Sequence, residues 1–268
     1  MKARLFPIIA ILGLVSPGAD LCAQEPPPPP PPALSPSTLF ENLTKETKPL
    51  WRQQYRAHIE RTVTDREKAA LALGAVMTDL ALAAMARDEQ QIHNLEQDEE
   101  ALEKLLGIPD KMRVPRQRYL ACAQAGDWPS LTKTIDKAHE RQIELLIGLR
   151  DAPLASLVTT GRWIRCWQIC TSVVIAKQLP SETLAIGTSA LVQETSAAAT
   201  KLTQNTPKRY LHFLAHRLNA LVKLWPTEEG VEGNRERLRA TQEILDELVG
   251  QLVQDQPRAL APATVPVR

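Results

Sequence analysis

One short stretch of the chain carries aromatic and thiol side chains at helical spacing. In chain order these residues are Trp163, Cys166, Trp167 and Cys170. On an α-helix, with about 3.6 residues per turn, all four fall on one face. Paired thiols serve redox chemistry or bind soft metals, but a redox motif usually has a shorter spacer and a metal site needs further ligands. We therefore favour a buried apolar face and assign no metal or cofactor to it.

Disulfide bonding among the cysteines is only partly constrained by their spacing. An intact helix holds the Cβ atoms of Cys166 and Cys170 farther apart than a disulfide allows. A bond from Cys122 to either residue stays open. Arg165 and Gln168 fall on the opposite arc of this helix, which we expect to be its polar side.

A single carboxylate, Asp79, lies within a run of Ala, Leu, Val and Met at residues 69–86. Apolar groups surround such a helix on all sides, as in a protein core or a membrane span. A central Asp costs roughly 2.5–3.5 kcal/mol on membrane insertion, so we favour a core helix. A buried carboxylate needs a partner, and we predict an ion pair with Arg162 or Arg165. The alternative is a carboxylate that lines a ligand pocket.

His212 and His216 have the spacing of two zinc ligands on one helix face. Phe213 stands where a zinc protease would carry its glutamate, and both histidines project to the polar side of an amphipathic helix. We predict that they face solvent. Phe213 also points away from the apolar stripe. It belongs either to a partner surface with Tyr210, Arg209 and Arg217, since aromatic residues and Arg are enriched at interfaces, or to a contact under another helix.

The elements that must position these side chains are helices. Aromatic residues make up 4% of the chain, and no segment alternates with period two for long enough to be a strand. Capping residues, glycines and prolines divide the chain, and predict helices over residues 37–47, 50–61, 64–87, 88–106, 114–125, 127–150, 161–179, 181–205, 206–225 and 232–254. Short connections make neighbouring helices antiparallel. We therefore predict an all-α fold of antiparallel helical hairpins, packed as a bundle or a short irregular solenoid.

The two ends of the chain differ from this helical domain, which we place at residues 38–254. Residues 1–23 combine a basic start, a short apolar run and small residues, the pattern of a signal peptide. Residues 24–37 form a proline-rich disordered linker, and 255–268 a disordered tail. Export predicts a periplasmic or secreted protein, with lipid anchoring at Cys22 as the alternative.

Charge is balanced over the whole chain but uneven along it. The net charge of +1 gives no basic excess with which to bind nucleic acid. Seven acidic residues and no Lys or Arg occupy residues 88–103. A basic segment follows, with Lys111, Arg113, Arg116 and Arg118. This pattern predicts a solvated acidic helix face followed by a basic loop.

Residues 65–178 resemble exported bacterial helical proteins that carry no assigned activity. The resemblance rests on Ala86-Arg87-Asp88, Gly126-Asp127-Trp128 and Gly161-Arg162-Trp163, and it implies no catalytic residue. No phosphate loop or nucleophile motif occurs in the sequence. The sequence therefore predicts a non-enzymatic periplasmic interaction or scaffold protein with a protein partner, whose only membrane contact is an N-terminal anchor. The alternative is a small-molecule or metal-binding domain, enzymatic or not, with its pocket near Asp79, Trp163 and Trp167.

Overall fold

The computed structural model describes residues 34–56, 63–110, 117–185, 188–226 and 234–253. These ranges contain ten α-helices and a 3₁₀ turn at Trp51–Gln54. The helices are α1 Pro36–Glu46, α2 Arg66–Met85, α3 Glu89–Leu106, α4 Gln117–Gln124, α5 Trp128–Gly148, α6 Ala152–Lys177, α7 Glu182–Ala185, α8 Ser189–Asn205, α9 Arg209–Leu224 and α10 Asn234–Val253. No strand occurs in this part of the chain, which confirms the predicted all-α fold.

Helices α2 and α6 form the centre of the fold. By length and composition α2 is able to cross a membrane, but 89% of its most apolar window is buried inside the fold. Both helices are apolar around most of their circumference, so each needs neighbours on several sides. Helices α1, α3, α5 and α10 pack around α2, while α1, α5, α8 and α10 contact α6. Consecutive helices α2–α3 and α8–α9 pack together as hairpins.

Two glycines allow α2 and α6 to approach each other closely. A Cβ atom added to Gly74 would overlap the Val158 carbonyl oxygen, and one added to Gly161 would overlap the Leu71 carbonyl oxygen. The Thr78 hydroxyl donates across the crossing to the Arg162 carbonyl oxygen at 2.8 Å. The backbones therefore touch where no side chain lies between them.

This crossing explains why the predicted start of α6 at Gly161 is wrong. The helix begins at Ala152, directly after Asp151, and carries Pro153 in its first turn, where proline is tolerated. Gly161 lies in the middle of α6 and serves the contact with α2. A glycine that begins a helix and one that permits a close crossing give the same signal in a sequence.

Three other boundaries differ from the predictions. Pro36, assigned to the linker, is the first residue of α1, and Ser37, which the linker and the first predicted helix shared, belongs to the helix. The helix predicted over 50–61 is a 3₁₀ turn followed by extended backbone at Tyr55, and residues 57–62 lie outside the described ranges. The helix predicted over 181–205 is two helices, α7 and α8, on either side of residues 186–187, which also lie outside.

Asp65 connects the start of α2 to the start of α9. Its Oδ1 accepts hydrogen bonds from the backbone N–H groups of Glu67 and Lys68, as an N-cap should. It also accepts from the Tyr210 hydroxyl at 3.0 Å, while Oδ2 pairs with Lys208 Nζ at 2.8 Å. Burial alone would raise the pKa of Asp65, but these donors outweigh it and lower the pKa to about 2.

The predicted signal peptide, proline tract and C-terminal tail lie outside the described residues, as do Lys111, Arg113 and Arg116. The predicted helix over 114–125 is seen from Gln117 to Gln124, as α4. The stop predicted at Gly126 is confirmed, because this glycine has a φ of 70°.

Candidate functional site

A cavity of about 580 Å³ lies between α1, α6, α7 and the end of α9. Its wall is largely apolar and includes Leu39, Leu43, Trp167, Cys170, Leu184 and Trp225. At its edge lie exposed polar residues of α1, namely Asn42, Lys45 and Glu46. Glu182 and Thr183 of α7 contribute to the same edge and are half-buried. The cavity therefore has an apolar interior and a polar rim.

Three tryptophans form a continuous cluster beside this cavity. The Trp163 and Trp167 ring centroids are 6.1 Å apart with nearly parallel planes, and Trp167 and Trp225 are 5.5 Å apart with planes tilted by 58°. All three residues are buried, which confirms the predicted burial of Trp163 and Trp167. Of the two, Trp167 lines the cavity and Trp163 lies behind it, outside the described lining. The cluster thus contributes to the cavity wall through Trp167 and Trp225, which both expose little of their surface.

Trp225 is held in place by the hydroxyl of Thr188. The indole Nε1 donates to Thr188 Oγ1 at 3.2 Å, and that hydroxyl in turn donates to the Leu184 carbonyl oxygen. Both Trp225 and Thr188 are buried. Because a buried polar group is costly without a partner, this chain of hydrogen bonds fixes the orientation of the Trp225 ring.

The thiols of Cys166 and Cys170 are buried in the core, as predicted. Cys122, Cys166 and Cys170 are all free, and the last two are buried. Burial raises the pKa of the Cys166 thiol well above its usual value, with the neighbouring Cys170 as the next contribution. Cys170 differs from Cys166 in that it lines the cavity.

Asp79 forms ion pairs with two arginines. It is not among the described residues that line the cavity. Its Oδ1 accepts a hydrogen bond from Arg165 Nε at 2.8 Å, and its Oδ2 pairs with Arg56 Nε at 2.6 Å. Arg165 also donates to the Gln54 carbonyl oxygen and to Gln168 Oε1. The predicted Asp79–Arg165 ion pair is therefore confirmed.

The predicted placement of Arg165 on a polar outer face is wrong. Its side chain is 4% exposed, because α6 is a central helix with neighbours on several sides. Extended backbone at Tyr55 leads the chain to Arg56, which pairs with the same carboxylate. Two guanidinium groups thus surround one buried carboxylate. We therefore assign Asp79 to the packing of the core and not to a ligand pocket.

A second ion pair, between buried Arg162 and half-buried Asp136, lies on the neighbouring turn of α6. Arg162 binds the Asp136 carboxylate of α5, whose other oxygen accepts from the Ser35 hydroxyl at 3.0 Å. Burial, and then the Arg162 charge, lower the pKa of His139 well below its usual value. These contacts tie α1, α5 and α6 together.

The acidic run at residues 88–103 is not the solvated face that its composition predicts. Four of its carboxylate side chains are buried: Glu96, Asp98, Glu99 and Glu103. Gln142 Nε2 donates to Glu99 at 2.7 Å and to Glu103 at 2.9 Å, and the Tyr119 hydroxyl donates to Glu99. The face is buried because α3 packs against α2 and α4. In the described ranges no group of three His, Cys, Asp or Glu side chains is arranged to hold a metal ion.

Glu99 is the carboxyl group most affected by this burial. Burial, followed by the neighbouring charges of Glu103 and Glu96, raises the pKa of Glu99 well above its usual value. Hydrogen bonds from Gln142 and Tyr119 act in the opposite direction and do not cancel the increase. Glu99 therefore binds a proton more readily in the folded protein than in the unfolded chain.

The histidines of α9 face solvent, as predicted. His212 and His216 are both exposed. Phe213 is half-buried and packs against the core, with the Arg217 guanidinium carbon 5.8 Å from its ring centroid. Arg217 also pairs with Glu247 of α10, so this part of α9 takes part in helix packing.

Of the predicted site residues, only Trp167 is among the described residues that line the cavity. Asp79, Trp163 and Arg165 lie in the adjoining core, and Phe213 lies elsewhere on α9. Sequence reasoning missed Leu39, Leu43 and Trp225, although the four-residue spacing of the two leucines is typical of a buried helix face. No protein-family model matches the chain, and no curated protein or solved structure matches it either.

Proposed function

We propose that the protein is an exported helical domain that binds an apolar small molecule in the cavity between α1, α6 and α7. The observation that carries this proposal is a volume of about 580 Å³ whose largely apolar lining includes Trp167 and Trp225. Ligand sites in proteins typically occupy about 300–1,000 Å³ and are lined by apolar and aromatic side chains with a few polar groups. The cavity has both properties.

The chemistry of the wall supports binding better than turnover. Among the described lining residues, Cys170 is the only thiol, and Glu46 and Glu182 are the only acids. A catalytic nucleophile needs a base within hydrogen-bond reach, and among the residues that the structure describes no hydrogen bond joins any of these three to a base. We therefore propose a binding function.

Export is supported by the amino-terminal sequence. Residues 1–23 have the composition of a signal peptide, and the prolines at 26–32 are suited to act as a stiff spacer before α1. We propose a periplasmic or secreted location, with lipid attachment at Cys22 as the alternative. The mass of the mature amino terminus, measured by mass spectrometry, distinguishes the two.

The scaffold role predicted from the sequence has weaker structural support than the cavity. A scaffold protein that binds its partner in a groove between helices needs a broad exposed apolar surface. In the described part of the chain the exposed large apolar residues are Leu50, Ile147 and Leu149. They are too few to form a groove, so the scaffold role stays a prediction.

Titration with the neutral fluorescent probe N-phenyl-1-naphthylamine tests the binding proposal. The test protein carries Cys22→Ser and Cys122→Ser, which leaves Cys166 and Cys170 as its thiols. We expect the probe to increase in fluorescence and to slow the alkylation of Cys170, located by mass spectrometry. Cys166 is an internal control, because it is buried away from the described cavity lining.

Leu39→Arg and Leu50→Arg are a matched pair of variants for this experiment. Leu39 lines the cavity, whereas Leu50 is exposed and is not among the described lining residues. We expect Leu39→Arg to abolish probe binding and Leu50→Arg to leave it unchanged, with thermal unfolding followed to show that both fold. Equal binding by the two variants, or unprotected Cys170 at saturating probe, would contradict the proposal.

A further inference from the structure

The charges at the rim of the cavity are unequal in number and in pairing. Glu46 and Glu182 carry two negative charges, and Lys45 is the only positive residue among the described lining. Lys45 Nζ donates to the neutral Asn42 Oδ1 at 3.3 Å and keeps its positive charge at the rim. In the described part of the chain neither glutamate makes a hydrogen bond or an ion pair. Two carboxylates are therefore available to a ligand that enters the cavity.

The interior of the cavity is suited to the apolar part of an amphiphile. Trp167 and Trp225 line it, and both are buried. The remaining wall, with Leu39, Leu43 and Leu184, suits an alkyl or aryl group.

From this combination we infer that the ligand is a cationic amphiphile, an amine or quaternary ammonium compound with an apolar body. The apolar body lies against the leucines and tryptophans, and the cationic nitrogen lies at the rim near Glu46 and Glu182. This inference rests on the proposed binding function and adds the charge of the ligand. An anionic amphiphile would face two carboxylates and a single lysine.

Three probes that share one alkyl chain test the charge preference. We would measure the binding of octyltrimethylammonium, 1-octanol and octyl sulfate at concentrations below micelle formation, by tryptophan fluorescence and by protection of Cys170. The cation should bind about fivefold more tightly than the alcohol at low salt, the effect of roughly one exposed charge pair, and the sulfate more weakly than both. Added salt should reduce the advantage of the cation, because these charges are exposed to screening.

Variants at the rim test whether Glu46 and Glu182 cause the preference for a cationic ligand. The double variant Glu46→Gln with Glu182→Gln should remove the advantage of the cation and leave octanol binding unchanged. Lys45→Gln is the control of opposite sign and should strengthen cation binding. Glu144→Gln, an exposed carboxylate of α5, should change nothing.

The outcomes separate this inference from the function on which it depends. If none of the three probes binds or protects Cys170, the proposed binding function fails. If octanol binds but the cation binds no better, or if the double variant keeps the preference, the cavity is a ligand site and the inference about charge is wrong.

Discussion

Arg165 Nε donates a hydrogen bond to Asp79 Oδ1 at 2.8 Å in the middle of the core. The same carboxylate pairs with Arg56, so two guanidinium groups share one negative charge. A buried ion pair adds little stability compared with apolar residues of the same shape, but loss of one partner leaves an uncompensated charge. The pair is therefore a point where single substitutions should be severe.

We expect Asp79→Asn to lower the free energy of unfolding by about 3–5 kcal/mol, the usual cost of breaking a buried pair. Urea denaturation followed by circular dichroism measures this change. Glu144→Gln, which removes an exposed carboxylate paired with Arg141, should cost under about 1 kcal/mol. A cost below 1 kcal/mol for Asp79→Asn would show that the carboxylate does not carry this charge balance.

Gly74→Ala and Gly161→Ala should each destabilise the fold by about 3 kcal/mol or prevent folding. An added methyl group at either position overlaps a backbone oxygen of the other helix, and backbone atoms cannot move aside as a side chain can. Gly148→Ala is the control, because a Cβ there meets no atom within 4 Å. It should be neutral or stabilise the protein by up to about 1 kcal/mol through helix propensity. Thermal unfolding of the three variants tests the contrast.

The pH dependence of stability should change on Glu99→Gln. Because the pKa of Glu99 is raised in the folded protein, its contribution to stability is present below about pH 4.5 and is lost as the pH rises through the folded pKa. Glutamine keeps the acceptor for Gln142 and removes the titration. The variant should therefore gain stability relative to the parent above pH 4.5, by at most about 1.4 kcal/mol per pH unit. Parallel denaturation curves from pH 4 to pH 8 would contradict the assignment.

Thr188→Val should affect both stability and the cavity. Valine keeps the shape of threonine but removes the acceptor for Trp225 Nε1, and an unsatisfied buried donor costs about 1–3 kcal/mol. Thr195→Val is the matched control, because Thr195 makes a similar backbone hydrogen bond without a tryptophan partner. We expect weaker N-phenyl-1-naphthylamine binding in the first variant only. Identical affinities would mean that the Trp225 orientation does not shape the site.

The sequence was most informative where local chemistry decides the structure. Capping by Asp65 and Asp88 and the left-handed Gly107 place the ends of α2 and α3 close to their predicted positions. It was misleading at Gly161 because a close helix crossing depends on a second helix distant in the chain. The acidic run was misleading for the same reason, since its burial depends on packing against other helices.

Most of the residues that line the cavity could not be predicted from the sequence. Leu39 and Trp225 line the same cavity although most of the chain separates them, and no local sequence pattern indicates that they are close. The Asp79–Arg165 pair was predictable because a carboxylate inside an apolar helix requires a partner, and the sequence offered few cations on equally apolar helices. A requirement imposed by electrostatics was therefore easier to predict than a space left by packing.

The contact between α2 and α6 also sets the order in which the chain can fold during its synthesis. Helix α2 is made first, and the helix that covers the face around Gly74 follows only after α3, α4 and α5. Until α6 has left the ribosome, the face of α2 around Gly74 lacks its partner helix, although α1, α3 and α5 can already pack against other faces. The amino-terminal part of the domain therefore cannot reach its final packing ahead of the middle of the chain.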